Sequence, residues 1–87
     1  MRAALTVRYF AAAREAAGTS EEQLPVADGV ELAAVLTALV AGRGGPAGRL
    51  GQVLARCSFL LDGQQARPEQ PLGESAILDV LPPFAGG

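Results

Sequence analysis

From Ala4 to Phe10 the chain alternates, with Leu5, Val7 and Tyr9 on one face of an extended backbone and Thr6, Arg8 and Phe10 on the other. Period-two alternation built on apolar and aromatic residues predicts a strand buried on one side. Ala11 to Ala17 is alanine-rich and free of Pro and Gly, which favours a short helix, and Gly18 is placed to close it. Glu21 to Val26 reads as a second strand. Pro25 offers no N–H to a neighbour, so this strand belongs at a sheet edge.

The spacing then changes from two to 3.6. Leu32, Val35, Leu36, Leu39 and Val40 fall at i, i+3, i+4, i+7 and i+8, the single apolar stripe of a helix lying on a sheet. Asp28 is positioned to cap this helix and Glu31 to reach back and complete a capping box. Gly42 to Gly45 ends it. Pro46 to Arg56 carries Leu50, Val53 and Leu54 at helical spacing but is interrupted by glycine, which predicts a short, weak helix.

Cys57 to Leu61 reads as a third strand. Asp62-Gly63 favours a type I′ turn, so Gln64 to Arg67 is expected to return beside it as a hairpin. Pro68, Pro71 and Gly73 mark a loop. Ala76 to Leu81 is the last strand, with Ala76, Leu78 and Val80 on one face and Ile77, Asp79 and Leu81 on the other. One long helix over a small sheet is an α+β arrangement. No internal repeat or composition shift divides the 87 residues into two domains.

Composition removes several function classes. The chain has no His, which excludes Ser-His and Cys-His nucleophile pairs and the commonest zinc ligand. No metal site or bound cofactor is expected, and catalysis by this chain alone would need an unusual arrangement. All seven basic residues are Arg, scattered from Arg2 to Arg67 against a net charge of −2, so nucleic acid is not an expected partner. No apolar run approaches the roughly 20 residues of a membrane span. The N-terminus makes a poor signal peptide, and a single cysteine fits a reducing compartment, so the expected location is the cytoplasm. Cys57 has no nearby His or Lys to activate it and reads as a small buried hydrophobe rather than a relay thiol.

The remaining chemistry is at the end of the chain, Leu81-Pro82-Pro83-Phe84-Ala85-Gly86-Gly87. Pro82-Pro83 favours an extended backbone that lifts away from a sheet. Six residues span at most roughly 20 Å. Gly86-Gly87, lacking Cβ atoms, can thread a narrow channel and deliver the α-carboxylate of Gly87. A frayed terminus is the bland alternative, but it would need neither the stiff Pro-Pro nor the large apolar Phe84. Phe10 and Leu81 lie near the ends of their strands, on the face opposite the helix. Either they join Phe84 in an exposed apolar patch beside the tail, which would mark a partner surface, or loops cover them or Phe10 folds inward. Arg14 and Glu15, on the first helix, read as solvated surface.

The segment Val7-Arg8-Tyr9-Phe10-Ala11-Ala12-Ala13-Arg14-Glu15-Ala16-Ala17-Gly18 and the ending Val80 to Gly87 resemble the MoaD-like family of molybdopterin synthase small subunits, and the order of elements agrees along the whole chain. The resemblance implies a ubiquitin-like β-grasp fold, with a mixed sheet of about five strands and one main helix on one face. The β-grasp domain would span residues 1–81 and the flexible tail residues 82–87. It implies a sulfur carrier that binds no cofactor itself. A ubiquitin-activating-type adenylyltransferase would use ATP to adenylate Gly87, and a sulfur donor protein would convert it to a thiocarboxylate. Inserted into the molybdopterin synthase large subunit, in a heterotetramer, the tail would give sulfur to cyclic pyranopterin monophosphate.

By the same resemblance Gly87 is the reactive residue and Gly86 gives it access. Phe10, Leu81, Pro82, Pro83, Phe84 and Ala85 would meet the partners. Gln65 departs from the pattern, standing where the family often has an apolar docking residue. Two rival functions are open: a carrier for thiamin thiazole, cysteine or tRNA thiolation, and a ubiquitin-like binding module whose terminus is never activated.

Overall fold

A computed structural model describes residues 4–83. Its elements in chain order are β1 (Leu5–Tyr9), α1 (Ala11–Ala17), β2 (Glu21–Leu24), α2 (Leu32–Val40), a 3-10 turn (Gly45–Ala47), α3 (Arg49–Leu54), β3 (Ser58–Leu61), β4 (Gln64–Ala66) and β5 (Ile77–Leu81). The strands form one sheet in the order β2-β1-β5-β3-β4. The central β1–β5 pair is parallel, while β1–β2, β3–β4 and β3–β5 are antiparallel. This is the mixed sheet of a β-grasp, and β2 lies at its edge as expected, though it ends at Leu24, before Pro25, rather than reaching Val26.

The alternation in the strands becomes the two sides of the sheet. Leu5, Val7, Tyr9, Phe59, Leu61, Leu78 and Val80 are buried together with Leu32, Val35, Leu39 and Val40 of α2 and Leu50 and Leu54 of α3. On the other side, Arg8 stands in register with Asp79. Its Nε donates to Oδ1 at 2.6 Å and its Nη2 to Oδ2 at 2.9 Å, so the nearly buried carboxylate is fully paired. The hydrogen bond and charge of Asp79 raise the Arg8 pKa still further.

The start of α2 differs from the expected capping box. Asp28 lies in the preceding turn, Glu31 is the extended residue before the helix, and neither side chain caps it. The backbone of another segment takes over. The N–H of Leu32 donates to the Gln70 carbonyl at 2.8 Å and that of Ala33 to Pro68 at 2.6 Å. Buried Leu72 anchors this segment, and its N–H donates to the carbonyl of Val30. A helix start needs acceptors for its free N–H groups, and carbonyls from a crossing loop satisfy them as well as a side chain does.

Two turns follow their residue chemistry. Gly18 closes α1 at φ 82°, its N–H reaching the carbonyl of Arg14. Asp62 and Gly63 both have positive φ, 48° and 84°, as a type I′ turn demands. Asp62 has a second role: Oδ1 accepts from the N–H of Ala76 at 3.0 Å and of Ile77 at 2.9 Å, tying the hairpin to the start of β5. Asp62→Ala loses both charge-assisted bonds and is expected to lower stability by about 1–2 kcal/mol. Asp62→Asn, which keeps one acceptor, should lose less. The urea midpoints of the three proteins check this.

Candidate functional site

Parallel pairing of β1 with β5 puts the C-terminal ends of both strands at one end of the sheet. The last register pair is Tyr9 with Val80, and the N–H of Phe10 donates to the Val80 carbonyl at 3.3 Å. On the far side, the carbonyl of Phe10 accepts from the N–H groups of Ala13 and Arg14. Between them the backbone turns sharply at Ala11, whose φ of 50° is unusual for a residue with a Cβ. Phe10 is therefore pinned by its main chain while its ring remains 40% exposed. Antiparallel pairing of β5 with β3 sets Ser58 opposite Leu81.

The result is an apolar groove of about 730 Å³ lined by Phe10, Ala11, Ala12, Ser58, Leu81, Pro82 and Pro83. Four of the expected partner-binding residues, Phe10, Leu81, Pro82 and Pro83, are thus brought together, and Phe10 is partly exposed rather than folded into the core. Phe84, Ala85, Gly86 and Gly87 lie outside the described residues. Ala11 and Ala12 adjoin Phe10 in sequence and were within reach of sequence reasoning. Ser58 was not, because its place depends on strand register. Gln65 is exposed on β4 and lines a different groove, beside Leu36, Leu54 and Cys57.

The titratable groups elsewhere on the body are braced rather than reactive. The Tyr9 hydroxyl donates to Glu22 Oε2 at 2.7 Å, and Arg43 bridges that oxygen at 2.8 Å to the Leu39 carbonyl at the end of α2. Burial first, then the bond to Glu22, pushes the Tyr9 pKa well up. The Cys57 thiol donates to the Val53 carbonyl at 3.2 Å, and burial pushes its pKa up to about 11. A thiol so placed is almost wholly protonated at neutral pH and a poor nucleophile. Among the described residues no three His, Cys, Asp or Glu side chains group to hold a metal ion, and no helix is long and apolar enough to cross a membrane.

The body is thus a ubiquitin-like β-grasp fold with an apolar groove where its last strand passes into a Pro-Pro segment. The ThiS family model matches residues 7–87. The molybdopterin synthase sulfur carrier subunit of Chlamydomonas reinhardtii is 32% identical over 85 residues, covering 95% of this chain and 98% of that protein. SAMP1 from Haloferax volcanii superposes with a TM-score of 0.80 at 22% identity, over 98% of this chain and 100% of that one. A Pyrococcus furiosus protein described provisionally as molybdopterin converting factor, subunit 1, gives 0.71 at 16% identity, over 93% and 98%. The chain belongs to the ThiS family.

The raised Cys57 and Tyr9 values set an alkaline limit. The folded state keeps both groups protonated where the unfolded chain releases the proton. The stability that Cys57 contributes is fully present below the ordinary thiol value of 9.0 and is lost as pH rises through about 11, and the part from Tyr9 begins to be lost only above the ordinary phenol value of 10.0. The urea midpoint should hold level at neutral pH, fall above about pH 9, and fall less steeply in Cys57→Ala. Iodoacetamide should label Cys57 more slowly than a model thiol peptide until the protein unfolds.

Proposed function

We propose that this chain is a sulfur carrier whose Gly87 carboxylate is the reacting group, and that it serves molybdopterin synthesis. The observation that carries this reading is its similarity, over nearly the full length of both chains, to the Chlamydomonas carrier subunit. The groove at the base of the tail supports it, since it gives a partner an apolar handhold beside the segment it must receive. The family match running through Gly87 supports the assignment of the reacting end.

In this mechanism a carboxylate oxygen of Gly87 attacks the α-phosphorus of ATP on a ubiquitin-activating-type enzyme, expelling pyrophosphate. Sulfide-level sulfur from a donor protein then attacks the acyl carbon and AMP leaves, which produces a thiocarboxylate. Gly86 lets the tail pass into narrow active sites, and Pro82-Pro83 keeps it extended. The molybdopterin synthase large subunit then holds the carrier through Phe10, Leu81 and the tail residues Phe84 and Ala85 while cyclic pyranopterin monophosphate takes the sulfur. The acyl C–S bond breaks, water restores the Gly87 carboxylate for another round, and the partners supply the cationic and acid-base groups.

Incubation with ATP, a sulfur source and the activating enzyme from the same organism should increase the intact mass by the replacement of one oxygen with sulfur. Deletion of Gly87, or one residue appended after it, should abolish the gain. No gain with a demonstrably active enzyme would point to a non-activated binding module, and a covalent adduct to another protein would point to a protein modifier. A gain followed by transfer only to another acceptor would move the chain to a different sulfur pathway.

Phe10→Ala removes a side chain that lies outside the buried core, so the fold should survive. Its binding to the large subunit is expected to weaken about tenfold or more. Leu81→Ala should weaken binding in the same direction, with calorimetric titration as the readout.

A further inference from the structure

The charges of this chain are segregated. From Leu32 to Leu61 there is no Asp or Glu, only Arg43, Arg49 and Arg56; all nine acidic residues lie outside that stretch. The structure sorts the arginines further. Arg8 is paired with Asp79 and Arg43 with Glu22. Arg49 and Arg56 are exposed, and their guanidinium groups have no hydrogen-bond or ion-pair partner among the described residues. They lie at the start of α3 and just beyond its end, roughly two helical turns apart, a spacing that sets them on one side. Both line a groove of about 580 Å³ that includes Pro46 and Gln52 and shares no residue with the Phe10 groove.

The groove floor is firmly built. A Cβ at Gly51 would come within 2.3 Å of the Pro46 carbonyl oxygen, so α3 lies flush against the 3-10 turn only because residue 51 is glycine. The Gln52 amide donates to the Ala47 carbonyl at 2.8 Å, fastening the same two elements together and leaving its own carbonyl oxygen unspent. Two exposed guanidinium groups therefore flank a firmly built floor, in a groove with no carboxylate among its lining residues.

We infer that this groove is a second docking face, for an acidic segment of a partner protein. A guanidinium fork matches the bidentate geometry of a carboxylate. A long polyanion such as nucleic acid fits less well, because the chain carries a net charge of −2 and only two cations line the groove. A partner held here leaves the Phe10 groove unoccupied, so this face can take a second protein while the tail is engaged.

The test is an NMR titration of the full-length, nitrogen-15-labelled chain with a hexaglutamate peptide at low salt. Shift changes should concentrate between residues 46 and 56 and fade as salt is added. The double substitution R49Q/R56Q, at exposed positions, should keep the fold and weaken peptide binding about tenfold. Arg14→Gln and Arg67→Gln should not. Changes spread over the whole surface, or unaltered by R49Q/R56Q, would overturn the inference. So would equal changes at lower concentrations of inorganic phosphate or a single-stranded oligonucleotide. Changes at residues 46–56 on concentrating the protein alone would name a second copy as the occupant and also overturn it.

Discussion

The parallel contact between β1 and β5 is the constraint on which the rest of the molecule depends. It joins strands near opposite ends of the sequence at the centre of the sheet, and Leu5, Val7, Leu78 and Val80 are fully buried around it. Because the strands run in the same direction, both finish at the same end. Phe10 and Leu81 then leave the sheet side by side, and the Pro-Pro segment starts where the aromatic ring is exposed. An antiparallel pair would have put Phe10 beside the start of β5, at the opposite end from the tail.

Closing so distant a pair is entropically costly, and the surrounding structure is arranged to hold it. Arg8 and Asp79 clamp the two strands on the open side of the sheet. Asp62 fixes the backbone at the beginning of β5, and the Tyr9–Glu22–Arg43 bridge fixes the end of β1 to the end of α2. Each brace joins segments far apart in sequence, so together they set the position of the groove rather than the shape of any single element.

The proposed chemistry suits such a scaffold. A carrier whose reacting group is a terminal carboxylate has no use for nucleophiles on its body. The Cys57 thiol is kept protonated by burial. What the body contributes is surface: an apolar groove at the base of the tail and, by the further inference, a cationic groove on α3. Recognition and chemistry are thereby divided between a rigid domain and its terminal segment.

Much of the fold was legible in the sequence because local signals agreed with one another. The alternation in β1, the 3.6-residue stripe of α2, the Gly18 cap and the Asp62-Gly63 turn each depend on a few adjacent residues, and each falls where its residues place it. The expected capping box failed because the N–H groups of Leu32 and Ala33 found partners nearly forty residues away, at Pro68 and Gln70, which no local pattern encodes. The site divides in the same way. Phe10, Leu81 and the two prolines could be picked out one by one from hydrophobicity and backbone stiffness. That they meet, that Ser58 joins them, and that Gln65 faces another groove depended on strand order and register. Likewise the arginines look scattered in sequence, and only pairing across the fold leaves Arg49 and Arg56 free together. The sequence by itself determined which elements form and which residues have unusual properties, because those depend on near neighbours. The tertiary structure alone decided which of them stand together, because that depends on contacts between residues far apart along the chain.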